Sequence, residues 1–315
     1  VCTLEAHRAA VLNELPELSP ENLLGEPMGR DTSNAVGLSA AVLAARDPDA
    51  VFAITTADHV IEPMERFQKC LKAGFESVAK HPNTLVTFGV TPTFGHTGLG
   101  YIERGDALAG IDGAFKVTAF REKPDKPTAD RYVESRRYFW NSGMFVWKAS
   151  TILSRLKEYL PKSYEGLQII AKAWDTGTRD ETLKKVYPIL QKISIDFAVM
   201  EPASARAPEA GAPSGVVVVE MPISWLDVGS WPQLSETLNI DDSNNAVEAS
   251  RLVMIDSDNN IIVAREEGHL LTLIGVSDMV IVHTKDATLI CPKNEAQRVK
   301  DIVAKVKEAH GAGYI

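Results

Sequence analysis

The sequence predicts an α/β protein in which helices cover a parallel sheet, followed by a small all-β unit. Three observations predict it. Val51 to Val60, VFAITTADHV, is a short apolar run that stops at an acid, as in a strand buried on both faces. Similar runs at Thr84–Val90, Phe115–Phe120, Met144–Trp147 and Val216–Glu220 alternate with segments of helical spacing. From about Ala246 the texture changes to short strands near Leu252–Ile255, Ile261–Ala264, Leu270–Ile274, Met279–Val282 and Thr288–Cys291, separated by Asp-, Asn-, Gly- and Lys-rich turns. That spacing predicts short rungs stacked as a coil, and places a boundary between residues 1–245 and 246–315.

Bulk numbers narrow the function classes. Hydrophobic residues make up 45% and charged residues 24%, which is ordinary globular composition. A net charge of -9 repels a polyanion, so a nucleic-acid backbone is not an expected partner. No apolar run approaches membrane-spanning length, and no membrane partner is expected. Cys2, Cys70 and Cys291 are far apart and lack metal-ligand spacing, which predicts buried structural thiols in a reducing cytoplasm. The chain starts at Val1, in what reads as the end of a strand, and an amino-terminal piece is expected upstream.

The elements follow in order. Glu5–Leu15 has helical spacing, with Ala9, Leu12 and Leu15 on one side and Pro16 and Pro20 ending it. Glu26–Arg30 reads as a loop, and Asp31, Thr32, Ser33 and Asn34 are N-cap candidates for a helix reaching about Arg46. A loop feeding a helix start suits an anion or a base edge, because the first N–H groups are unpaired; a plain capped helix is the alternative. In open α/β sheets ligands sit beyond the strands' carboxyl ends, so Asp58 and His59 are expected to project there. A carboxylate at that point either ligates a hard cation such as Mg²⁺ or caps the next helix. Pro63 suits the first position of that helix, whose packing stripe is Phe67, Cys70, Leu71, Gly74 and Val78.

Gly95, Gly98 and Gly100 crowd before a short strand, but this run lacks a following helix and a Lys-Ser/Thr, so it is no P-loop. Glu122 and Lys123 at a strand end form either a surface pair or a clamp for hydroxyl and phosphate. Pro127–Arg137 is a short polar helix, and Tyr138–Trp140 leads into Asn141, Ser142, Gly143 and the strand Met144–Trp147. Helices are expected from Ser150 to Val186, a surface loop over Ala203–Ser214, and a turn holding Asp227 and Gly229 between Trp225 and Trp231. The last helix aligns Val299, Ile302, Val303 and Val306, with Asn294 and Gln297 placed as a capping box; that face is expected to dock on the β unit or on a partner copy in a homodimer.

Seven local patterns occur together and in order: EPMGRDTSNA, TADHVI, TGLGYIE, FREKPD, WNSGMF, SIDFAVME and WLDVGSW. With them the chain resembles the bacterial mannose-1-phosphate guanylyltransferases (GDP-mannose pyrophosphorylases) of the sugar-nucleotidyltransferase superfamily, nearly end to end. The resemblance implies a Rossmann-like nucleotidyltransferase domain with a mixed, mostly parallel sheet, plus a small left-handed β-helix domain. It implies transfer of GMP from GTP to mannose 1-phosphate, giving GDP-mannose and pyrophosphate. By the same resemblance Asp58 and Asp227 hold Mg²⁺, Glu122 accepts mannose hydroxyls and Lys123 meets phosphate or sugar. Asn141 and the Gly100 backbone frame the sugar, while Arg30, Asp31, Thr32 and Asn34 lie by guanine and ribose.

Three departures stand out. The glycine-rich triphosphate loop with which the family opens is not in this sequence, so poor GTP binding is expected unless it lies upstream. Asp31 stands where the family usually has Asn, and Pro202 where a Lys often follows Met-Glu. Two other readings stay open: a regulatory relative that binds nucleotide sugars without catalysis, and a transferase for another hexose 1-phosphate. A glycosyltransferase would call for Asp-x-Asp at the strand end, which Thr56-Ala57-Asp58-His59 lacks.

Overall fold

A six-stranded sheet organises the first part of the chain, in the spatial order Val51–Ile54, Tyr138–Lys148, Leu85–Val90, Val216–Met221, Ala114–Arg121 and Tyr101–Ala107. This computed structural model describes residues 1–205 and 215–314, so most of the expected Ala203–Ser214 loop lies outside the described residues; Ala203–Ala205 close a short helix, Glu201–Ala205. The sheet is mixed as expected, but its parallel share is small. Leu85–Val90 runs parallel to Val216–Met221, and the other described pairings in this sheet are antiparallel.

Val51–Ile54 corrects the sequence reading. It pairs antiparallel with Tyr138–Lys148 at one end of the strand order, and Val51 is 40% exposed. Short apolar runs look alike whether they lie at a sheet's margin or its centre, because periodicity cannot report neighbours. The fully buried centre is instead Leu85–Val90 beside Val216–Met221. Helix Met64–Lys80 packs there through Cys70, Gly74 and Val78, starting one residue after Pro63. A Cβ on Gly74 would lie 2.8 Å from the Phe88 ring, so helix and sheet approach closely only with glycine there.

Met144–Trp147 also proves to be part of something longer, the strand Tyr138–Lys148, which contains the whole WNSGMF stretch. The register slips opposite Thr87 and Gly89, and Gly143 takes φ 68, a left-handed conformation that glycine adopts without a Cβ clash. The bulge lets a polar Asn-Ser pair sit mid-strand without breaking the sheet. Helices Asp31–Arg46, Ala149–Tyr159, Pro161–Ala173 and Arg179–Val186 cover one apolar cluster with Trp147, Leu156 and Leu167 at its centre.

Contacts divide the chain into two units, Val1–Ala57 with Ile61–Ser224, and Asp58–Val60 with Trp225–Ile315. In the second unit, Ala246–Ala249, Ile261–Ala264 and Met279–His283 stack in parallel, as do Leu252–Ile255 and Leu271–Ile274. Parallel pairing of near neighbours is what a coil of stacked rungs produces. Its turns are tied by a buried amide ladder that composition alone did not reveal. Asn260 N donates to Asn245 Oδ1 (2.9 Å), and Met279 N to Asn260 Oδ1 (2.9 Å), so each rung's polar turn satisfies the next.

The last helix, Val299–His310, differs from its expectation. It has no side-chain cap, and Ile302 and Val303 stay 48% and 40% exposed, so its apolar face is not sealed against the chain.

Candidate functional site

Two clusters, one in each unit, hold the candidate residues other than the Arg30–Asn34 loop. In the first unit, Glu122 and Lys123 follow the strand Ala114–Arg121 and line a cavity of about 560 Å³ with Phe120, Pro124, Tyr132 and Phe197. Helix Lys126–Ser135 supports its rim, capped by the Asp125 carboxylate, which accepts from Thr128 N at 2.9 Å. Lys123 has φ 42, uncommon for a residue with a Cβ, and such strain concentrates where side-chain direction matters. Its Nζ lies 4.0 Å from Glu122 Oε1 and is largely exposed, so the ammonium is free to meet an anion.

Gly100 and Asn141 join this cluster. A Cβ on Gly100 would lie 2.5 Å from Glu122 Oε2, so glycine there lets the carboxylate fold over bare backbone. Asn141 N donates to Gly100 O (2.8 Å), fixing the two strands' register at this point. Burial, reinforced by Asp196 and opposed by Lys123, raises the Glu122 pKa. Asp196 was not among the residues singled out from the sequence. It accepts from Asn141 Nδ2 at 2.8 Å, and burial holds its own pKa above the usual carboxylate range. The signal available was an acid inside the apolar stretch SIDFAVME.

The Arg30–Asn34 loop is built by internal bonds. Asp31 has φ 64, a left-handed conformation that Asp and Asn tolerate best. Its Oδ1 accepts from Thr32 N (2.8 Å). None of the four N-cap candidates fills that role: Arg30 occupies the position, without a side-chain cap bond. Asn34 Nδ2 donates to Arg30 O (2.8 Å) and to Gln191 O (2.7 Å). Arg30 Nε, Ser33 Oγ and Asn34 Oδ1 are buried with no hydrogen-bond partner among the described residues. Three orphaned polar atoms within five residues mark a place where additional polar groups would be favourable.

In the second unit, Asp58 and Asp227 both lie close enough to His59 to act on its charge. Val228 N donates to Asp58 O (3.0 Å), tying the two carboxylate-bearing segments together, and Asp227 ends the strand Ser224–Asp227 rather than lying in a turn. His59 does not project freely as expected. Its ring packs edge-on to Trp225 with centroids 5.0 Å apart, and its Nδ1 accepts the indole N–H at 3.1 Å. Burial lowers the His59 pKa, while Asp227 and Asp58 pull it up.

Can this pair take the expected Mg²⁺? Hard oxygen donors suit it, and an ion that also holds phosphate needs only one or two carboxylates. The imidazole beside them is pushed towards neutrality and so adds little opposing charge. Among the described residues no group of three or more His, Cys, Asp or Glu is gathered at metal-holding spacing. Asp58 and Asp227 alone would suit only a cation that draws its remaining ligands from phosphate and water.

The chain is similar to known proteins along most of its length. The profile described as nucleotidyl transferase matches residues 2–244, most of the chain. The chain belongs to the nucleotidyl transferase family. A second profile, the mannose-phosphate isomerase/GMP-like β-helix domain, matches residues 250–306, where the stacked rungs lie. The mannose-1-phosphate guanylyltransferase of Escherichia coli (strain K12) is 35% identical over 310 residues, covering 96% of this chain and 62% of the relative. The xanthan biosynthesis protein XanB of Xanthomonas campestris is 34% identical over 311 residues, 97% of this chain and 62% of that one. This nucleotidyl transferase chain thus spans about three fifths of the length of the curated relatives it matches. A Thermus thermophilus crystal structure titled as a mannose-1-phosphate geranyltransferase superposes with TM-score 0.77 at 29% identity, covering 97% of this chain and 83% of that one.

Proposed function

We propose that this chain transfers GMP from GTP to mannose 1-phosphate, forming GDP-mannose and pyrophosphate. The observation carrying the reading is the Glu122–Lys123 pair at the mouth of its cavity, in a family member about 35% identical to a named mannose-1-phosphate guanylyltransferase along 96% of its length. A sugar-phosphate oxygen attacks the α-phosphorus in line, and the bond to the β-phosphate's bridging oxygen breaks. No protein nucleophile is needed; the chain positions two anions and offsets their charge. Lys123 meets the phosphate of the sugar, and Glu122, folded over Gly100, accepts sugar hydroxyls. Arg30, Asp31, Thr32 and Asn34 take the nucleoside, where the orphaned polar atoms favour base and ribose contacts.

Asp58 and Asp227 would hold Mg²⁺, which when bound supplies Lewis-acid stabilisation of phosphate charge. The free cysteines suit a reducing cytoplasm, and among the described residues no helix is long and apolar enough to cross a membrane.

The test is pyrophosphate release by the full-length protein with mannose 1-phosphate, Mg²⁺ and each of the four NTPs. GTP-selective release is expected. Release with another base or hexose phosphate overturns the specificity, and GDP-mannose binding without any release points to the regulatory reading.

A further inference from the structure

Between Leu190 and Ile195 the chain runs without helix or strand, and then enters a π-helical turn, Asp196–Met200. Such turns are rare and recur at functional sites. This strap is fastened on both flanks. On one, Asn34 Nδ2 donates to Gln191 O (2.7 Å), Ser33 N to Ile193 O (3.3 Å) and Ile195 N to Thr32 Oγ1 (2.9 Å). On the other, Asn141 Nδ2 donates to Asp196 Oδ1 (2.8 Å). The Asn141 Oδ1 is also engaged, accepting from Gly143 N (3.2 Å) and Thr87 Oγ1 (3.4 Å). Asn141 thus directs its amide at the protein, and Asp196 is what it holds. Asp196 in turn lines a tight crevice with Glu122, Phe120, Phe197 and Glu201.

Resting on the guanylyltransferase reading, we propose that Asp196 is a positioning residue for the sugar phosphate. Anchored by Asn141 and carried on a strap bonded to the Arg30–Asn34 loop, it backs Glu122 and sets the orientation from which that carboxylate meets sugar hydroxyls. Sharing one crevice, Asp196 also adds to the burial that raises the Glu122 pKa, so the geometry has an electrostatic consequence for Glu122.

The test is steady-state kinetics of the full-length protein. Asp196→Ala is expected to raise KM for mannose 1-phosphate by about tenfold or more, with KM for GTP within about twofold. Asp196→Asn keeps an oxygen for Asn141 and is expected to stay within about threefold of wild type, a rescue that mere loss of fold would not show. Asn141→Ala combined with Asp196→Ala is expected to cost no more than the worse single variant, since the two act as one unit. Equal rises in both KM values, additive losses, or unchanged KM in Asp196→Ala overturn the inference. Absence of turnover by the wild type overturns the functional reading, and this inference with it.

Discussion

The carboxylates of the two clusters are kept in opposite ways. Glu122 has 23% of its side chain exposed and lies over Gly100 beside Asp196, with its pKa raised chiefly by burial. Asp58 has 61% of its side chain exposed, and the hydrogen bond that places it runs through its backbone carbonyl. On the proposed roles, the difference matches what each would bind. A group that recognises neutral hydroxyls gains from a dry, fixed setting, where hydrogen bonds compete less with water. A metal ligand has to remain an ionised oxygen donor, which solvent exposure favours.

The strongest way to break this comparison is to remove charge from Asp58 or its counterpart Asp227. Asp227→Asn or Asp58→Asn should lower pyrophosphate release by ~10³-fold or more, with the thermal midpoint unchanged. An unchanged rate at saturating Mg²⁺ would remove the metal assignment. Next in size is the cation beside Glu122. Lys123→Met should lower kcat/KM for mannose 1-phosphate by ~10²-fold, because a phosphate loses its charge-assisted partner; an effect confined to GTP would move Lys123 to the nucleotide.

A third variant asks whether burial alone explains such effects. Tyr187 donates a short hydrogen bond to buried Glu26, whose pKa is raised by burial and lowered in part by that bond. Tyr187→Phe leaves Glu26 without its donor and should cost about 1–3 kcal/mol in a denaturant melt, with KM values unchanged. Loss of substrate affinity would show that the pair serves the site.

The smallest effect concerns pH. Glu122 and Asp196 have raised pKa values, so the folded chain holds protons that the unfolded chain has released. Stability from these groups is therefore fully present at acid pH, below the unfolded carboxylate values, and is lost as pH rises through the folded ones. Asp196→Asn should flatten that slope and gain about 1 kcal/mol at neutral pH, the usual scale when a functional-site residue is relieved. A slope unchanged between pH 4 and 7 would contradict it.

Local patterns made several features legible. The helix to Arg46, the rungs Leu252–Ile255 and Ile261–Ala264, and the Glu122-Lys123 pair at a strand end could all be read from periodicity and turn chemistry. These depend on residues a few positions apart, which sequence displays directly. Tertiary structure decided the rest. Val51–Ile54 turned out to lie at the end of the strand order, and Asn141 inside a bulged strand, because strand neighbours are chosen over long separations. His59 became a packed ring against Trp225. Asp196 met Asn141 only across 55 positions, where no spacing rule reaches, and the half-buried bond between them exists because folding brought the two segments together.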